Sequence, residues 1–229
     1  MSGSASESVS GTDGDGQQQA LAGIVGDIIG RFEQLHQVRD RALADGRQIT
    51  RLAANAVRAL HRADDAEADR LLTEAQRIVA ELSALVTPYP SIYWAGYVQD
   101  AMKEFAEARL TAAALRGAPL PGPADLDVED AAYLNGLAEA ASELRRDVLD
   151  LLRAGDLPRA EALLDRMDDV YSHLITVDFP DAITGGLRRT TDQLRGVLER
   201  TRGDLTLTGR QARLEAIIVR AEASFTSRP

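Results

Sequence analysis

The sequence of 229 residues contains no cysteine, which excludes both a disulfide framework and a metal site built on thiolate ligands. Aromatic residues make up only 4% of the chain, whereas alanine and leucine are abundant, and this balance favours helices over a β-sandwich. No apolar run reaches the roughly 20 residues that a membrane helix needs. The N-terminus also lacks the basic and then apolar pattern of a signal peptide. We therefore expect an intracellular, cytoplasmic protein built from helices.

Lysine is almost absent as well. Lys103 is the only lysine in the sequence, so nearly all of the positive charge is carried by arginine. The formal net charge is −10, which is most simply explained as a solubility feature. An acidic chain is a poor candidate for binding nucleic acid unless its arginines gather on one surface.

Several arginines do lie close together near the C-terminal end of the sequence. Their guanidinium groups are able to follow a row of phosphates. The commoner interpretation of such a run is a solvated face, paired here with Asp192, Glu199 and Asp204. The arginines that are candidates for binding nucleic acid are Arg188, Arg189, Arg195, Arg200 and Arg202.

The chain divides by composition into a tail and one helical domain. Residues 1–19 are rich in serine, glycine and aspartate, which predicts a disordered tail. Over residues 20–229 apolar side chains recur with a period near 3.6, which predicts an all-α domain of about seven helices with a long N-terminal helix. The predicted helices cover about 21–63, with a weak point at Gly46, then 66–86, 93–115, 128–153, 157–174, 180–203 and 208–224, and a loop covers 117–126.

Glycine and aspartate mark some of these boundaries. Asp127 is the predicted N-cap of the 128–153 helix, and Gly155 is its C-terminal stop. Gly136 belongs to a face of small residues on that helix, so we expect other helices to cover it on both sides. The glycine pair at 185–186 lies inside a helical pattern, and we interpret it as a packing feature.

Aromatic residues cluster at the start of the 93–115 helix, where Trp94 begins an apolar stripe that continues through Phe105. Rigid aromatic side chains are favoured at protein interfaces. We therefore predict a subunit interface here and a homo-oligomer; the alternative is that these side chains pack inside one subunit. The cluster consists of Tyr89, Tyr93, Trp94 and Tyr97.

Carboxylates follow the same helix beside the apolar stripe. Asp100, Glu104 and Glu107 share one flank, and Glu139 and Glu143 are one turn apart on the 128–153 helix. Clustered hard oxygen ligands are what Mg²⁺ or Mn²⁺ requires. Such pairs are also common on solvated helix faces, so spacing alone leaves both interpretations open.

Other kinds of functional site find little support in the sequence. A phosphate-binding loop and a GxGxxG pattern are both missing. Glu33 is followed by His36 three residues later, but the di-iron bundle pattern needs this spacing on two helices, and neither His61 nor His173 has it, which excludes that pattern. The three histidines have no motif context, so we interpret His36, His61 and His173 as surface or packing residues.

Three segments in a fixed order resemble the translin family, which includes translin, its partner Trax and archaeal members. They are GYVQDAMKEFAEA at Gly96–Ala108, YLNGLAEAASELRR at Tyr133–Arg146 and AGDLPRAEALLDRMDDVYSHL at Ala154–Leu174. A fourth stretch, Phe179–Arg202, lies where the family has a helix with the pattern L-(R/K)-x-x…L…VE. The likeness extends over about residues 20–225.

The resemblance implies a seven-helix fold, an octameric hollow shell, and binding of single-stranded RNA or DNA. In Trax-like members three acidic residues hold a divalent metal and cleave RNA. Glu104 and Glu107 match two of these acids, and Glu139 stands where Trax has an aspartate. Glu143 is a further candidate ligand, whereas we expect Lys103 to point away from the carboxylates.

Two functions follow from this resemblance as expectations. The first is a homo-oligomeric endoribonuclease that uses Mg²⁺ or Mn²⁺ to cleave single-stranded RNA. The second is a non-catalytic, translin-like protein that binds single-stranded RNA or DNA.

Overall fold

The computed structural model describes the backbone of residues 12–226 and the side chains of residues 16–223. Over that range no strand occurs, which confirms the all-α class. None of the helices described there combines the length and apolar character that crossing a bilayer would require. The helices are α1 Thr12–Leu60, α2 Asp65–Val86, α3 Pro90–Tyr93, α4 Gly96–Arg116, α5 Pro123–Leu126, α6 Asp130–Ala154, α7 Leu157–Leu174, α8 Asp181–Thr184 and α9 Leu187–Thr226.

The long helices pack in two connected groups. In one group α1 lies against α2 and α4, and in the other α6 lies against α7 and α9. Contact between α4 and α6 joins the two groups. The prediction that α6 is covered on both sides is therefore confirmed, and α4 and α6 form the centre of the molecule.

The N-terminal helix starts earlier than its apolar pattern predicts. Residues 12–19 of the predicted tail are helical, and residues 1–11 lie outside the described residues. Once a helix has formed, each added residue contributes one hydrogen bond.

Gly46 is a packing position of α1 and not a break, because the helix continues through it. A Cβ atom added at Gly46 would lie 3.3 Å from the carbonyl oxygen of Tyr97 and 3.5 Å from the Cβ of Ala101. The missing side chain therefore lets the start of α4 approach α1 closely.

The C-terminal part of the fold differs from the prediction of two helices over 180–203 and 208–224. The glycine pair at 185–186 breaks the helix, because Gly185 has φ 61° and Gly186 has φ 84°. Only glycine adopts this left-handed region at low cost. α9 then runs through Gly203, where a glycine costs only about 1 kcal/mol relative to alanine.

Asp127 does not cap α6. It ends the single turn of α5 in a left-handed conformation, and Glu129 precedes the first residue of α6. The carboxylate of Glu129 instead accepts a hydrogen bond from the Tyr93 hydroxyl. Gly155 does end α6, in a left-handed conformation with φ 78°, as predicted.

The aromatic cluster is mainly internal. Tyr89, Tyr93 and Tyr97 are half-buried and pack against the core. Trp94 lies after the single turn of α3, outside the predicted stripe, and is 61% exposed. The three tyrosines thus follow the alternative of packing within one subunit, and Trp94 alone remains available to a partner or ligand.

Gly136 lets α6 pack closely on α4. A Cβ atom added there would lie 2.8 Å from the carbonyl oxygen of Lys103 and 3.0 Å from the amide nitrogen of Glu107. Backbone atoms cannot move as a flexible side chain can, so we expect Gly136→Ala to lower the free energy of unfolding by about 1–3 kcal/mol. Urea denaturation measures this change.

Gly203→Ala is the matched control for that substitution. Gly203 is also inside a helix, but no atom lies within 4 Å of an added Cβ. We expect this variant to be more stable than the wild type by about 0.5–1 kcal/mol, because alanine is the better helix former. Equal changes in the two variants would contradict the proposed close approach at Gly136.

Candidate metal centre

Three glutamates converge where α4 meets α6. Glu104 and Glu107 lie one turn apart on α4, and Glu139 lies one turn after Gly136 on α6. Each offers one carboxylate oxygen, and these oxygens all lie within 4.8 Å of one another. All three side chains are half-buried. Asp100, on the same flank of α4, is exposed and does not belong to this group.

The centre carries more negative charge than its surroundings neutralise. Burial, and then the negative charges of Glu139, Glu104 and Glu143, together raise the pKa of Glu107 to about 8. Lys103 acts in the opposite direction but does not compensate. A hard oxygen site with unbalanced negative charge suits a divalent cation, so the donor set fits Mg²⁺ or Mn²⁺.

Lys103 points into the acid group, contrary to the prediction. Its ammonium donates a hydrogen bond to Glu139 and lies 3.2 Å from a carboxylate oxygen of Glu104. Burial disfavours the charged ammonium, but contact with Glu139 and Glu104 outweighs it, so the pKa of Lys103 lies above its usual value. The helical angle predicted only the direction of the Cβ atom, whereas the four-carbon stem reaches across to α6.

His61 is a residue that the sequence interpretation missed. Its Nε2 lies 2.9 Å from Glu143, and its Nδ1 lies 2.9 Å from Asp147. The side chain is only 2% exposed. Hydrogen bonds to Asp147 and then to Glu143 raise the pKa of His61 to about 9, so both ring nitrogens donate at neutral pH.

Glu143 therefore lies at the margin of the centre. It pairs with His61 and is not one of the three converging carboxylates. It nevertheless lines, with His61, Glu104 and Glu107, a groove of about 230 Å³. His36 and His173 are exposed, as the surface interpretation predicted.

The pKa shifts of His61 and Glu107 predict a pH-dependent stability in the absence of divalent ions. Both groups hold their protons more tightly in the folded state, from 6.5 to about 9 for His61 and from 4.5 to about 8 for Glu107. The folded protein then binds more protons than the unfolded chain, so stability falls as pH rises. The stability due to His61 is complete below pH 6.5 and is lost as pH rises through about 9.

We expect the free energy of unfolding in EDTA to decrease between pH 6.5 and 9, with at most about 3.5 kcal/mol of the loss due to His61, because one pKa unit corresponds to about 1.4 kcal/mol. Denaturation curves at several pH values measure it. His61→Gln should flatten the profile in this window. A wild-type stability that rises with pH would contradict the assigned proton positions.

The candidate arginines do not form one patch. Arg195 lies 3.4 Å from Asp192, and Arg202 lies 3.0 Å from Asp168, which partly matches the solvated-face interpretation. Asp204 pairs instead with Arg145 at 2.8 Å.

Two grooves separate these arginines further. Arg188 and Arg195 line a groove formed by the end of α7 and the start of α9. Arg189 lines a different groove of about 620 Å³ that also contains Lys103 and Glu139. Arg189 is therefore the candidate arginine whose groove reaches the acid group. Arg200, like the other four, is exposed on α9.

A comparison with protein-family models gave no match. The chain is 31% identical over 180 residues to an uncharacterized protein of Methanocaldococcus jannaschii. The matched residues cover 78% of this chain and 79% of that protein.

Solved structures show the same similarity. The fold matches AfC3PO, solved alone and in complex with duplex RNA, with a TM-score of 0.77, 33% identity and coverage of 83% of this chain and 98% of that chain. It also matches apo-NeC3PO with a TM-score of 0.74, 17% identity and coverage of 80% of this chain and 96% of that chain, a likeness of fold alone. These matches cover most of both partners, and they show that the chain belongs to the C3PO/translin family.

Proposed function

We propose that this protein binds RNA and cleaves it with a divalent cation held by Glu104, Glu107 and Glu139. The observation that carries the proposal is the convergence of three half-buried carboxylates within 4.8 Å. The complex of the similar protein AfC3PO with duplex RNA supports RNA as the ligand. Trax-like cleavage is what the resemblance implies for such an acid set.

In this proposal the three glutamates hold the cation from two different helices. Glu104 and Glu107 supply oxygen ligands from α4, and Glu139 supplies one from α6. Although Glu139 is one methylene longer than the aspartate of Trax, its carboxylate still lies within the same 4.8 Å group. When bound, Mg²⁺ or Mn²⁺ polarises a phosphoryl oxygen and lowers the pKa of a coordinated water.

An RNA strand has an access route beside the acid group. The groove of about 620 Å³ is lined by Arg189, Gln99 and Gln193, and also by Trp94. Trp94 is 61% exposed, which allows a base to stack on it. These features support entry of a flexible single strand, with the phosphates contacted by Arg189 and the neighbouring arginines of α9.

The arginine contacts predict a salt-dependent affinity. Replacing Arg188 and Arg189 with glutamine removes two phosphate contacts, so we expect the slope of log affinity against log salt concentration to become shallower by about 0.7 per contact for a single strand. Gel-shift titrations at several salt concentrations measure the slope. Arg153→Gln is the control, because Arg153 lies at the far end of α6 and its side chain is 85% exposed. An unchanged slope in the double variant would exclude these two residues from the RNA interface.

The same titration identifies the preferred nucleic acid. Single-stranded RNA, duplex RNA and single-stranded DNA of one sequence are compared at constant salt. We expect single-stranded RNA to be bound and cleaved. Binding of duplex RNA alone would match the duplex RNA complex of AfC3PO and would contradict the proposed route for a single strand.

A homo-oligomer, octameric according to the resemblance, forms the second part of the proposal. The first half of α1 exposes a row of large apolar side chains, and so does the last part of α9. Monomeric proteins rarely leave apolar patches of this extent in water. The exposed residues are Leu21, Ile24, Val25, Ile29 and Phe32 on α1 and Leu207, Leu214, Ile217, Ile218 and Val219 on α9.

One observation favours the non-catalytic alternative, in which the protein only binds RNA or single-stranded DNA. Lys103 already forms ion pairs with Glu139 and Glu104 and so offsets part of the charge that a metal ion would balance. Incubating end-labelled RNA with the wild-type protein in Mg²⁺, Mn²⁺ or EDTA distinguishes the two functions. We expect fragments only with the cations. RNA that is bound but stays intact in all three solutions would favour the non-catalytic function.

A further inference from the structure

The only lysine of the sequence lies at the candidate metal centre. Every other permanently basic side chain is an arginine, and many of these form surface ion pairs with aspartate or glutamate. An arginine has a planar fork that holds a carboxylate at two points, whereas lysine is a compact point charge on a flexible stem. The position that faces the acid group thus carries the one basic side chain that can change partners easily.

Lys103 occupies oxygens that a metal ion would need. Its ammonium contacts the carboxylates of Glu139 and Glu104, two of the three members of the acid group. Its side chain is 20% exposed, and it borders the groove of about 620 Å³ that also contains Gln99 and Arg189. The ammonium can therefore leave the carboxylates without crossing packed core.

We propose that Lys103 is the resident counter-ion of the acid group, and that a divalent cation displaces its ammonium into the groove, where it contacts an RNA phosphate. This inference rests on the metal centre of the proposed function. Both cations compete for the same carboxylate oxygens, so they exclude each other there. Displacement places a positive charge beside Arg189, where the RNA backbone would lie.

The exchange predicts opposite effects of Lys103→Met on metal and on RNA. Methionine keeps an unbranched apolar stem but has no charge, so the metal no longer has to displace an ion pair. We expect Mg²⁺ to bind the variant about tenfold more tightly than the wild type, the size expected for losing a charge-assisted hydrogen bond. Calorimetry measures this affinity. RNA affinity in saturating Mg²⁺ should fall in this variant, because the charge that would contact the phosphate is missing.

The single lysine also permits a test in the wild-type protein. Reductive ¹³C-methylation modifies primary amines. Lys103 is the one side chain that it labels besides the N-terminal amine, because the sequence contains no second lysine. We expect the dimethyl-lysine signal in NMR spectra to shift as Mg²⁺ is added, with a midpoint that equals the calorimetric dissociation constant. Circular dichroism melts of Lys103→Met verify that the variant is folded.

The possible outcomes separate this inference from the proposed function. Mg²⁺ binding to the wild type with an unmoved lysine signal, and with equal affinity in Lys103→Met, would overturn the exchange and leave the metal centre standing. Binding by Lys103→Met alone would support Lys103 as the competing cation. Failure of both proteins to bind Mg²⁺ would overturn the metal centre, and the exchange with it.

Discussion

Replacing Glu107 with glutamine is expected to lower the rate of RNA cleavage by at least about 100-fold, since a metal ligand supports several kcal/mol of transition-state stabilisation. Glu107 is central to the acid group, because the negative charges of Glu104, Glu139 and Glu143 all raise its pKa. Glutamine keeps the shape of the side chain but removes an anionic oxygen ligand. Rates of fragment formation from end-labelled RNA in Mg²⁺ measure the effect.

Glu161→Gln is the matched control for this experiment. It makes the same chemical change on α7, where Glu161 is exposed and lies outside the acid group. We expect cleavage by this variant within a few-fold of the wild type. Equal loss of activity in both variants would mean that general charge, and not the three converging carboxylates, governs the reaction.

Introducing two glutamates into the exposed apolar row of α1 is expected to break the assembly. Ile24 is 59% exposed and Phe32 is 65% exposed, and both would become buried when subunits associate. A buried, unpaired charge costs several kcal/mol, so Ile24→Glu combined with Phe32→Glu should shift the protein to monomers of 24.7 kDa. Light scattering at micromolar concentration measures the mass.

The control variant carries its glutamates on neighbouring polar positions of the same helix. Gln34 and Gln37 are exposed, and their replacement by glutamate adds the same charge without entering the apolar row. We expect this variant to keep the wild-type mass. A wild-type protein that already scatters as a 24.7 kDa monomer would contradict the oligomer.

Hydrophobic periodicity was sufficient to predict the helices that build the core. In α2 the regularly spaced Leu71, Ala75, Ile78 and Leu82 are buried, and so are Ala141, Leu144 and Val148 of α6. Asp156 caps α7 by accepting a hydrogen bond from the amide of Arg159, as an aspartate before a proline-containing first turn predicts. These features depend on interactions within a few residues, which the sequence displays directly.

Backbone conformation at glycine was harder to predict. Gly46, Gly185 and Gly203 all lie in similar helical patterns of sequence. Gly46 is nevertheless a packing contact, Gly185 breaks a helix, and Gly203 is an ordinary helical residue. The difference at Gly185 comes from tertiary contacts, because the side-chain amide of Asn135 donates a hydrogen bond to the carbonyl of Thr184. Partners from another helix have no signature in the local pattern.

The candidate site was predicted only in part, because contacts between distant residues leave no signature in the local pattern. Spacing and resemblance identified Glu104, Glu107 and Glu139, which lie together. The contact of His61 with Glu143 joins residues 82 positions apart, so no local motif could have shown it. The one available signal was the pair of acids Glu143 and Asp147, one turn apart on α6.

A crystal soaked in Mn²⁺ tests the central claim most directly. The anomalous scattering of manganese locates the ion without any assay of activity. We predict one peak about 2 Å from carboxylate oxygens of Glu104, Glu107 and Glu139, the distance expected for a small hard cation. A crystal that shows manganese elsewhere on the chain but none among these three carboxylates would contradict the account.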